Sequence, residues 1–67
     1  MTPDDIRDLN RARESLARQR SALCKRIGAS ELAAASAAED LTRILLAIEA
    51  VDRALTEAGR PYTPPMD

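Results

Sequence analysis

The stretch Lys25-Arg26-Ile27-Gly28-Ala29-Ser30-Glu31-Leu32 is the one break in an otherwise helical pattern, and its reading decides the fold. Gly28 follows a run of helix formers and suits the left-handed residue that closes a helix. Ser30, before Glu31, suits the N-cap of a second helix. Upstream, Thr2-Pro3-Asp4-Asp5 reads as a helix start: Thr2 as N-cap, Pro3 in the first turn, and two acids at the positive end of the helix dipole. Downstream, Gly59-Arg60-Pro61 ends the pattern. These marks predict helix 1 over about 3–27, a turn at 28–30, helix 2 over about 31–58 and an extended proline-rich tail over 59–67, all in one domain.

The apolar spacing supports the same division. In helix 1 a heptad places Ile6, Arg13, Arg20 and Ile27 at one seam position and Leu9, Leu16 and Leu23 at the other. In helix 2 the corresponding sets are Ala34, Leu41, Ile48, Leu55 and Ala37, Ile44, Val51, Ala58, with Ala38 and Leu45 widening the stripe. A connection this short favours antiparallel neighbours. Folding at 28–30 would set Arg20 opposite about Ala37 and Arg13 opposite about Ile44. Glu14–Arg18, Glu39–Arg43 and Glu49–Arg53 are spaced as i,i+4 ion pairs.

The expected fold class is therefore all-α, an antiparallel helical hairpin of two long helices. Such a hairpin is one layer thick and cannot cover both faces of its seam. With 67 residues, no Phe, no Trp and one Tyr, its large side chains are essentially Leu and Ile. Each contributes roughly 1.5–3 kcal/mol when fully buried. Ordering each residue costs about 1–2 kcal/mol. Cys24 is the sole cysteine and there is no His, so neither an intrachain disulfide nor a zinc staple is available. The expectation that remains is a four-helix bundle, completed by dimerisation or by packing on a partner.

Net charge is −1, but its distribution is uneven. Residues 1–29 hold seven basic and four acidic groups, and residues 30–67 three basic and seven acidic ones. Attraction between a basic and an acidic helix is the simplest reading. Arg11, Arg18 and Lys25 recur every seven residues on the outer face of helix 1. They are read as a solvated face or, alternatively, as a phosphate-contacting stripe. No aromatic residues are interleaved for base stacking, which argues against single-stranded nucleic acid.

Arg13 and Arg20 interrupt the apolar seam. They are read either as snorkelling side chains that reach water or the carboxylates of helix 2, or as recognition residues that fix register and partner choice. Leu32 and Leu46, with several alanines, give helix 2 apolar surface on more than one side, which predicts a second contact surface. Cys24 reads as a small buried hydrophobe rather than a nucleophile. The tail Pro61-Tyr62-Thr63-Pro64-Pro65 is read as a disordered end or as an extended segment anchored by Tyr62.

Catalytic signals are absent: no His, no glycine-rich phosphate loop, no metal-ligand spacing, no nucleophile–base pair. The stretch Leu9-x3-Arg13-x2-Leu16-Ala17-x2-Arg20-x2-Leu23-x3-Ile27-Gly28 resembles in outline the first helix of the small all-helical chorismate mutases. That resemblance implies arginines binding a dicarboxylate in a three-helix protomer. The match is mainly heptad pattern, the chain is too short for three such helices, and helix 2 is acidic where basic ligands would be needed.

The expected function is a non-catalytic helical-hairpin interaction module, an oligomerising adaptor or structural subunit. A small nucleic-acid-binding regulator is the alternative, and a helical enzyme or accessory subunit a remote one. The interface is expected on Leu9, Arg13, Leu16, Arg20, Leu23, Leu41, Ile44, Leu45, Leu46, Ile48, Val51, Leu55 and Tyr62. No cofactor, metal or small-molecule substrate is expected. The partner is a second copy or a larger protein. With no membrane-spanning run, no secretory signal and a free thiol, a reducing cytoplasm is expected. The Ala- and Arg-rich composition suits a GC-rich bacterial or phage source.

Overall fold

The computed structural model describes residues 1–30, 32 and 34–63, excluding the Ala34 side chain. Two helices, α1 (Pro3–Ala29) and α2 (Ala34–Glu57), pack against each other as a hairpin. The start of α1 is capped as its sequence dictates. The Thr2 hydroxyl accepts from the Asp5 amide, and the Asp5 carboxylate accepts from the Thr2 amide, each at 3.1 Å. These reciprocal bonds satisfy donors that the first turn leaves without a partner.

The break between the helices differs from its sequence reading. Gly28 lies inside α1, and its φ is not positive. The helix continues to Ala29, and Ser30 caps its C-terminus in extended conformation (φ −152°), with its amide donating to Arg26 O. Ser30 therefore ends α1 instead of starting α2. A Cβ at Gly28 would meet open space beyond the helix's own backbone, so the position would accept an ordinary helical residue. Gly59 takes the role predicted for Gly28. Its φ is +75°. The Gly59 amide donates to Thr56 O and the Arg60 amide to Leu55 O, so α2 ends in a Schellman motif.

Lengthening α1 and starting α2 at Ala34 moves the register. Arg13 meets Asp52, eight positions beyond Ile44. Ile6 lies beside Ala58 at the open end, and Leu23 beside Asp40 and Ile44 near the turn. All three pairings run antiparallel. Arg20 is thereby brought level with Ile44 and Leu45 instead of Ala37.

The hairpin measures 43 × 25 × 15 Å, with a radius of gyration of 13.9 Å. A compact domain of this length would have a radius of gyration of about 11 Å. Its least dimension is close to one helix diameter of about 10–12 Å. The apolar side chains buried among the described residues are Leu23, Ala37, Ile48 and Leu55. Among the described residues no helix is long and apolar enough to cross a membrane.

Candidate interaction surface

The two broad faces of the hairpin have different chemistry. One carries a polar junction near the open end. Arg13 Nε donates to Asp52 Oδ1 at 2.8 Å, and its side chain is 14% exposed, against 41% for Asp52. The Tyr62 ring stacks on the guanidinium, with Cζ 4.9 Å from the ring centroid. After Gly59 turns the chain, Pro61, Tyr62 and Thr63 run back beside Ile6, Asn10 and Glu14 of α1. One arginine thus ties together α1, α2 and the tail. The stem of Arg13 covers apolar seam while its head finds a carboxylate and an aromatic face. Tyr62, half-buried, anchors the tail on its own hairpin. Pro64 and Pro65, which belong to the same tail, lie outside the described residues.

The opposite face carries an apolar stripe on α2. Ile44, Ala47, Val51 and Ala54 follow one another at spacings of three, four and three, and all are half-buried. This is the pattern of one helix stripe. Leu16 and Leu23, seven residues apart on α1, lie across from it, Leu16 half-buried and Leu23 9% exposed. Between the helices an open groove of about 380 Å³ is lined by Gln19, Ala22, Leu23, Arg26, Asp40, Arg43 and Ile44.

The residues expected at an interface divide accordingly. Leu55 and Ile48 are core residues of the hairpin itself, at 0% and 5% exposure, as is Leu23. Leu9, Leu16, Leu41, Ile44 and Val51 are half-buried in the seam. Leu45 and Leu46 stand out in solvent at 43% and 60%. Leu32, in the turn, is almost wholly exposed. Arg20 is half-buried and forms no ion pair among the described residues. Arg11, Arg18 and Lys25 are all exposed.

Two local readings are corrected. Cys24 is exposed instead of buried, because it stands about 100° around the helix from the buried Leu23 and so faces away from α2. The i,i+4 pairs Glu14–Arg18, Glu39–Arg43 and Glu49–Arg53 do not form among the described residues. Shorter links take their place, Arg7 with Asp4 and Asp8, and Arg43 with Asp40. Exposed pairs of this kind are worth little, so rotamer entropy decides between them. The Arg13–Asp52–Tyr62 junction was missed as a unit in the sequence. The seam position of Arg13 and the lone aromatic were its only signals.

No group of three or more potential metal ligands exists among the described residues. What fold and surface define is a two-helix hairpin with one sealed junction and one open apolar face. No protein-family model matches the chain, and comparison with curated proteins and with solved structures returns no match.

Proposed function

We propose that this protein is a helical-hairpin protein–protein interaction module, an oligomerising adaptor or structural subunit whose fold is completed by two further helices as a four-helix bundle. One observation carries this reading. The accessible surface is 5064 Å². A compact monomer of this mass exposes about 4,200 Å². The surplus reflects the elongated shape of a hairpin one helix thick, and along it the stripe Ile44, Ala47, Val51 and Ala54 stays half-covered. A second helical layer would bury Ile44, Val51 and Leu16, which the hairpin alone leaves partly in water.

Sedimentation velocity between 1 and about 100 μM, paired with thermal melting over the same range, is the test. Association makes the melting temperature rise with concentration, because a species that binds only the folded state stabilises it by mass action. A cooperatively folded monomer with a concentration-independent melt would refute the proposal.

A further inference from the structure

We infer that the layer missing from the apolar face is a second copy of this chain, docked so that α1 of each protomer lies on α2 of the other and both turns sit at the same end. This inference rests on the association reading above and adds the partner, the face and the orientation.

The face follows from what each side already holds. The tail-bearing side is crossed by the Arg13–Asp52 bond and covered at its open end by Tyr62. Docking there would displace the tail or bury a charged pair. The other side presents Leu16, Leu23, Ile44, Ala47, Val51 and Ala54, with the groove between the helices.

The orientation follows from charge. A second copy supplies both signs, and stacking α1 on α2 sets helices of opposite net charge side by side in both contacts. α1 carries seven basic and four acidic groups, and α2 two basic and five acidic. A two-fold axis parallel to the helices generates this arrangement and puts both turns at one end.

The experiment uses the full chain with Cys24→Ser, and a spin label on Ser30→Cys in the turn. Ser30 is exposed, and its cap bond to Arg26 uses the backbone, so the substitution leaves it intact. Sedimentation equilibrium should return twice the chain mass. Double electron–electron resonance should then give one label–label distance below about 30 Å, since diagonal helices in such a bundle lie roughly 14 Å apart at interaxial spacings of ~10 Å. Turns at opposite ends of a hairpin 43 Å long would instead give a distance on the order of 40 Å or more. Ala47→Glu should abolish the dimer, whether the released chain stays folded or not, and Leu45→Glu should change dimer affinity by less than threefold.

A dimer with the long distance, or any other pattern for the two variants, overturns this inference while leaving the association reading standing. A folded monomer overturns both.

Discussion

Replacing Arg13 by Leu separates the two roles that the seam position combines. Leucine retains apolar volume over the seam but loses the bond to Asp52 and the stack on Tyr62. Charge-assisted hydrogen bonds contribute about 1.5–3 kcal/mol when buried, and exposed ion pairs about 0.2–1 kcal/mol. With Arg13 at 14% exposure and Asp52 at 41%, the pair lies between these limits. A coupling of about 1–2 kcal/mol is therefore expected. The cation–π contact, 4.9 Å from the ring centroid, adds about 0.5–1 kcal/mol. Asp52 stays partly hydrated in the variant, so no fully buried charge is stranded.

The assay is a double-mutant cycle of Arg13→Leu and Asp52→Ala, read by thermal and urea unfolding at one fixed protein concentration. In a domain of this size 1 kcal/mol corresponds to roughly 4–8 °C in Tm. Arg13→Leu should lower Tm by several degrees, and about half or more of the coupling should survive 1 M salt, because the pair is partly shielded from water. Zero coupling, or a rise in Tm with Arg13→Leu, would show that the arginine merely snorkels and that the seam prefers an apolar residue.

Three other outcomes are expected. Tyr62→Ala should free the tail, seen as sharp random-coil NMR signals for Thr63, with α1 and α2 helicity unchanged; an unaltered spectrum would mean the ring anchors nothing. Gly28→Ala should raise stability by about 0.5–1 kcal/mol, since the position is helical and open, whereas Gly59→Ala, forced to φ +75°, should lower it by about 1–2 kcal/mol; shifts of the same sign in thermal melts would contradict the two backbone assignments. The backbone and side-chain hydrogen bonds with Thr2 hold the Asp5 carboxyl below its ordinary value of 3.8. Its cap is therefore fully effective above pH 3.8 and is lost as pH falls through the lowered folded value. NMR titration of the Asp5 carboxyl should give a midpoint under 3.8, and one at or above it would mean the capping box does not form in solution.

The two helices were legible in the sequence because their causes are local. Thr2 and Asp5 cap through residues three apart, Gly59 turns the chain where only a residue without a Cβ does so freely, and the leucine spacing repeats within each helix. The join was not legible. Gly28 and Ser30 each permit a helix end, but permission is not compulsion. The helix runs on to Ala29 when its hydrogen bonds and packing favour it, and propensity alone is too weak to choose. That small change displaced the register by eight positions on α2. It brought Arg13 to Asp52 instead of Ile44.

The sequence by itself thus determined an all-α chain of two capped helices, too thin in apolar side chains to cover both faces. Only the tertiary structure decided which carboxylate meets Arg13, that Tyr62 closes over that pair, and which face stays open. Those contacts join Arg13 to residues about forty and about fifty positions away. Each depends on the lengths of both helices and the turn between them, quantities that no local pattern of residues specifies.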